Sequence, residues 1–199
     1  LIALKRGLPV GGTWLPMAGS TAPTTLAGAW VIGYAESLAF AMIALAVDEH
    51  AKVGIGPGGA GITDMKSGNF AWGAPEWLLT NLAGAEFWAH MGFGYGVGGS
   101  IGSGTWIPSA QTGAEKASAI LFLALCGARH LGGGGLIDNL FSPEQAVIDD
   151  EIVGMVNRVL RGFEINEETL ALKVIEEVGI GGNFLAHKHT YENFRKEFW

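Results

Sequence analysis

Four long apolar runs, each separated from the next by a glycine-rich or polar stretch, set the rhythm of this chain. Residues near 24–47, 75–91, 110–127 and 143–161 are apolar at helical spacing or almost throughout, and predict helices. In front of each lies a short β-like or glycine-rich run, centred on Val10, Val53, Tyr95 and Leu131, followed by a polar loop. Strand, loop and helix repeated four times predicts βα units about a parallel sheet, with strands near 9–14, 52–57, 93–97 and 129–134.

The helix ends carry their own signals. Pro75 and Glu76 suit a first turn, and Gly92 can end that helix. Ser109 can cap the next helix, and Ser142-Pro143-Glu144-Gln145 predicts a capping box. Behind that box Ile148, Ile152, Met155, Val156, Val159 and Leu160 predict an inward stripe. Asn166-Glu167-Glu168 opens a further helix, with Leu172, Ile175 and Val178 expected inward and Gly179 as its stop.

Composition divides the chain near residue 140. Residues 1–140 hold 14 charged residues and 27 of the 32 glycines, whereas residues 141–199 hold the other 17 charges and 5 glycines. Two parts of one α/β domain are expected: a partial β/α barrel over 1–140, and over 141–199 the final barrel helix with a C-terminal helical segment. A closed (β/α)8 barrel of the TIM type needs eight such units, and about four are present. The chain also starts at Leu1 without a Met or a signal-like segment, so the C-terminal half of a longer barrel is expected.

The net charge of −7 and the absence of a Lys/Arg stripe argue against nucleic acid as a partner. Residues 26–47 carry one charge, Glu36, and are long enough to cross a bilayer. Their flank of Asp48, Glu49 and His50 lacks the usual Lys/Arg anchors, so a helix packed on both sides inside a cytoplasmic protein is expected, not a membrane span. A non-catalytic barrel fragment or a membrane-associated protein is the alternative. The single cysteine, Cys126, lies in an apolar run and is expected to be buried.

No nucleotide site is expected, because Gly54-x-Gly56 and Gly94-x-Gly96 lead into polar loops and not directly into helices. No metal site is expected either: His187 and His189 have no third ligand nearby in sequence and read as an exposed loop pair. The loops are more informative. Trp14, Phe70, Trp72, Tyr95 and Trp106 fall at strand ends or in polar loops, where chemistry sits in parallel α/β proteins. Aromatic faces hold quaternary or methylated ammonium groups, and Asp64 and Asp138 on the same loops can balance the charge as catalytic candidates. Gln111, at a helix start, can orient a carboxylate or an ordered water. All eight residues are expected at one mouth.

Several segments resemble those of the trimethylamine methyltransferase family. They are Pro16-Met17-Ala18-Gly19-Ser20-Thr21-Ala22-Pro23, Asp64-Met65-Lys66-Ser67-Gly68, Gly73-Ala74-Pro75-Glu76 and Ala110-Gln111-Thr112-Gly113-Ala114-Glu115-Lys116, followed by Asp149-Asp150-Glu151-Ile152 and Phe184-Leu185-Ala186-His187-Lys188-His189. The resemblance implies a (β/α)8 barrel enzyme of methylamine metabolism, forming homo-oligomers when full-length. Such an enzyme moves a methyl group from trimethylamine or a quaternary amine, such as glycine betaine, to the Co(I) of a corrinoid (cobalamin) carried by a partner protein. Two departures bear on the substrate. Ser103-Gly104-Thr105-Trp106-Ile107-Pro108 stands where an acidic stretch is expected, and the pyrrolysine of the trimethylamine enzymes is not visible. A quaternary amine already carries a good leaving group, so the chemistry favours it.

Overall fold

The computed structural model describes residues 2–12, 14–54, 56, 59–92, 99–128 and 130–199. They form two compact units, Leu1–Val153 and Gly154–Trp199. The first unit is a mixed α/β arrangement. In chain order it runs α1 (Ile2–Lys5), β1 (Val10–Gly11), β2 (Met17–Ala18), α2 (Leu26–Val47), β3 (Val53–Gly54), β4 (Gly61–Ile62), α3 (Pro75–His90), β5 (Gly99–Ser100), α4 (Ala110–Leu125), β6 (Leu131–Gly132), β7 (Leu136–Ile137), β8 (Leu140–Phe141) and the start of α5 (Pro143–Arg161).

The four long helices stand where their apolar spacing placed them. Ser109 caps α4 by accepting the Thr112 amide at 3.2 Å, and Pro75 opens α3. The strands differ from expectation. Among the described residues they form four separate two-stranded sheets and not one barrel wall. Three pairs are parallel: Val10 beside Val53, Met17 beside Gly61, and Gly99 beside Leu131. The fourth, β7 with β8, is an antiparallel hairpin that the sequence pattern did not indicate. Glycine occupies one position of β1, β3, β4, β5 and β6, and a glycine brings no side chain to stabilise a ladder. The expected strand at 93–97 lies outside the described residues.

Helix α2 packs on one face, not two. Ala29, Gly33, Ser37, Ala41 and Ala44 form its buried line, while Val31, Met42 and Ile43 are exposed. The small residues let the backbone come close to β2 and β4, where Ala18, Ala29 and Ala60 form a core with Ala22, Leu26 and Ile62 against it. Between α2 and α3, Trp30, Tyr34 and Phe87 make edge-on and stacked contacts at 4.8–5.6 Å. By length and composition α2 could cross a membrane, a test that core helices of soluble proteins also pass. Cys126 is half-buried at the end of α4, more open than expected.

The first unit is tied together at Lys116, which is fully buried on α4. Its ammonium donates to Asp149 Oδ2 of α5 at 2.5 Å and to the carbonyl of Gly133 at 3.1 Å. Asp149 also accepts the Gly135 amide at 2.7 Å and the Gln145 side-chain amide at 2.7 Å. This corrects the expected capping box. Ser142 caps α5 through the Gln145 backbone amide, but the Gln145 side chain turns inward to Asp149, and the Ser142 hydroxyl donates to Glu144. Oε1 of Gln145 has no hydrogen-bond partner among the described residues. Of the expected apolar stripe only Ile152 and Val156 are buried, since Gln145 and Asp149 occupy the inward line above them.

In the second unit the helix expected from Asn166 is broken into α6 (Glu167–Leu170) and α7 (Leu172–Val178). Asn166 and Thr169 form the capping box here, and Ala171 takes a left-handed conformation with φ 48°. Leu172 and Ile175 are exposed, contrary to expectation. Gly179 ends α7 at φ 70°. His187 caps α8 (Lys188–Glu197) by accepting the His189 amide on Nδ1 at 3.1 Å, and its Nε2 lies 3.4 Å from Glu177.

Removing one partner of a buried ion pair leaves the other charge uncompensated, at a cost of about 3–5 kcal/mol. Lys116→Ala is therefore expected to lower stability by about that amount, and Lys116→Ala with Asp149→Ala by less than the sum of the single changes. Denaturant unfolding of the three variants checks both outcomes.

Candidate functional site

Two loops of the first unit meet over the ends of β4 and β5. The first, residues 63–74, folds on itself. The Asp64 amide donates to Asn69 O at 2.8 Å, while its carboxylate accepts the Lys66 amide at 3.0 Å and the Ser67 hydroxyl at 2.7 Å. Such a turn is what a short acidic side chain forms readily with the backbone two residues on. These bonds, Ser67's foremost, favour the ionised form and hold the Asp64 carboxyl below the usual aspartate range. Phe70 bridges back to Thr63, and its ring lies 4.6 Å from that of Trp72.

The second loop, residues 101–109, is held from α4. Glu115 Oε2 accepts the Ser103 hydroxyl at 2.5 Å and the Gly104 amide at 3.2 Å, and Oε1 accepts the Gln111 side-chain amide at 2.7 Å. The chain of hydroxyls continues from Ser103 to Thr105 at 3.1 Å, from Thr105 to Thr112 at 2.5 Å and from Thr112 to Ser109 at 3.0 Å. Ser103 and Thr112 are fully buried.

Glycines allow the two loops to touch. A β-carbon on Gly102 would lie 2.8 Å from the Trp72 ring, and one on Gly73 would lie 2.6 Å from Glu115 Oε2. Gly73 also has φ +77°, a conformation that costs glycine little. The Asp138 amide donates to Ser103 O at 2.6 Å, which brings in the β7–β8 turn, where Asp138 itself sits at φ 47°. Aspartate tolerates that left-handed region better than most residues.

These contacts enclose an open cavity of about 400 Å³. Asp64, Phe70, Trp72, Trp106, Gln111 and Asp138 all line it, together with Ser67, Asn69, Gly104 and Glu115. Six of the eight candidates named from the sequence thus share one cavity. Trp14 does not line it: its ring packs 5.9 Å from Phe40 of α2. Tyr95 lies outside the described residues. Trp106 stands at the rim, 70% exposed.

Glu115 was not among the candidates, although a signal was present. Gln111 and Glu115 stand four apart on one helix, the spacing that puts a donor and a carboxylate side by side. Ser103 and Gly104 gave no comparable signal, because their role follows from a contact across the loop. Among the described residues no group of three His, Cys, Asp or Glu side chains could hold a metal ion. What the cavity offers is aromatic faces and carboxylates, a chemistry suited to a cation.

Because the Asp64 pKa is depressed on folding, the stability it contributes is present above the unfolded value and is lost as pH falls through the folded one. An NMR titration should place the Asp64 midpoint below those of other exposed aspartates, and Ser67→Ala should move it back toward the ordinary value near ~4.

Comparison with known proteins adds an independent line. A family model described as trimethylamine methyltransferase matches residues 2–199. A trimethylamine methyltransferase of Methanosarcina thermophila is 38% identical over 188 residues, covering 94% of this chain and 38% of that protein. A glycine betaine methyltransferase of Desulfitobacterium hafniense is 35% identical over 188 residues, covering 93% of this chain and 39% of that protein. A trimethylamine methyltransferase of the same species, from another strain, is 31% identical over 196 residues, covering 97% and 39%. The chain therefore spans less than two-fifths of the length of these relatives.

Proposed function

The chain belongs to the trimethylamine methyltransferase family, and we propose that it takes part in moving a methyl group from a methylated amine to the Co(I) of a corrinoid carried by a separate protein. The observation that carries this reading is the cavity itself, where Phe70, Trp72 and Trp106 share a wall with Asp64, Glu115 and Asp138. A quaternary ammonium has no N–H to donate, so a protein holds it by aromatic faces and by opposite charge. We favour a quaternary amine as donor for a second reason. Its nitrogen leaves as a neutral amine, keeping the electron pair of the broken N–C bond, while the methyl carbon bonds to the acceptor. A relative named as a glycine betaine methyltransferase matches the same stretch and supports this class.

The corrinoid, when docked, supplies the nucleophile. The open mouth, with exposed Trp106 and Ile107 at its edge, gives a flat macrocycle an apolar rim to rest on. The part left to this chain is to bind and orient the amine, with Trp72 beneath it, Asp64 and Asp138 balancing its charge, and Gln111 turning a carboxylate or a water. The same reading carries a (β/α)8 barrel, a cytoplasmic location and a homo-oligomer as proposals for the whole protein. Mixing the full chain with the reduced corrinoid protein and a panel of methylated amines tests it. Methyl-cobalt absorbance should develop with a quaternary amine, and its failure to develop with any amine would refute the function. Trp72→Ala and Trp106→Ala should each weaken amine binding by about 0.5–2 kcal/mol, and Asp64→Asn should slow transfer, as read in the same assay.

A further inference from the structure

We infer that Glu115 is the specificity-determining residue of this cavity, its carboxylate being the counter-charge that selects a cationic ligand over a neutral one of the same shape. The inference rests on the reading of the cavity as the amine site. Three carboxylates line the cavity and are engaged differently. Asp64 spends both oxygens within its own exposed turn, beside Lys66. Asp138 stands in a hairpin turn, where Asn139 donates to its Oδ1 at 3.1 Å. Glu115 is held across two elements by three donors, from Ser103, Gly104 and Gln111.

All three donors are neutral. They fix the carboxylate in place and satisfy its oxygens without offsetting its charge. Among the described residues no Lys, Arg or His side chain comes within 4.0 Å of it. The adjacent Lys116 faces into the core and is matched there by Asp149. Gly73 leaves the space that Glu115 Oε2 occupies, so the loop carrying Trp72 is cut to fit this carboxylate. A negative charge is thus anchored beside an aromatic wall, half-buried and without a cation of its own. A ligand that supplies the cation meets a group already oriented and needing no reorganisation. A neutral ligand of the same shape meets the aromatic wall alone.

The test uses two probes on the full chain: choline, which carries a trimethylammonium group, and its neutral tert-butyl isostere, in which carbon replaces nitrogen. Glu115→Gln keeps the side chain's shape and can keep its bonds to Gly104 and, with a turned amide, to Gln111. It is expected to weaken choline by about tenfold or more while leaving the isostere within about twofold. Glu115→Asp, which keeps the charge, should retain preference for the cation. Ser103→Ala frees one oxygen without removing the charge and should also retain it, which covers the case in which Glu115→Gln does not fold. Equal losses of both probes in Glu115→Gln, no loss of either, or loss of the preference in Ser103→Ala would overturn the proposal. Trp72→Ala separates the two readings. It should weaken both probes if the cavity is the amine site, and if it changes neither, the reading of the cavity fails and not the choice of Glu115 within it.

Discussion

A lysine ammonium taken wholly out of water must find an anion and enough acceptors, and Lys116 finds them only in one arrangement. Asp149 comes from α5, and the Gly133 carbonyl from the turn after β6. Asp149 in turn takes the Gly135 amide and the Gln145 side chain. One charge thereby fixes α4, the glycine turn and the start of α5 against one another. It also fixes the rotation of α4 about its axis, and with it the direction in which Gln111 and Glu115 point. The cavity wall is a consequence of the ion pair on the other side of the helix.

The same economy appears at the loops. Strands of two residues cannot place side chains firmly, so the loops beyond them are held by other means. Asp64 closes its turn on Lys66 and Ser67, and Glu115 gathers Ser103, Gly104 and Gln111. Trp72 then lies against Gly102, where any larger residue would hold the two loops apart. The cavity is built from side chains that tie loops to each other more than from the sheets beneath them.

Much of this was legible in the sequence, and unevenly. Helices announce themselves through apolar spacing and caps, so α2 to α5 stand where Ser109, Pro75 and Ser142 pointed. The candidates on the 63–74 and 103–111 segments converge because both segments follow βα units, which the rhythm of the chain exposed. The remainder depended on competition that spacing does not reveal. Gln145 had two possible partners, the cap and Asp149, and the buried charge won. Ala171 has no helix-breaking character, yet the cap formed by Asn166 and Thr169 ends one short helix there and another begins. Trp14 was grouped with the other aromatics because it too follows a strand, but the ring of Phe40 on α2 was within reach. Glycine-rich strands gave no alternation from which the separate pairs could be read.

Glu115 and Lys116 are neighbours in sequence with opposite charges and opposite destinations. Successive residues of an α-helix differ in direction by about 100°, and that angle is what sends one to the cavity and the other to the core. The distance from the Ser109 cap to this pair is therefore a counted length. An insertion or deletion of one residue between them would turn an ammonium toward the cavity and a carboxylate toward Asp149, exchanging attraction for repulsion at both places. Point substitutions along that stretch of α4 can be absorbed by their surroundings, whereas a change of reading phase in the helix cannot.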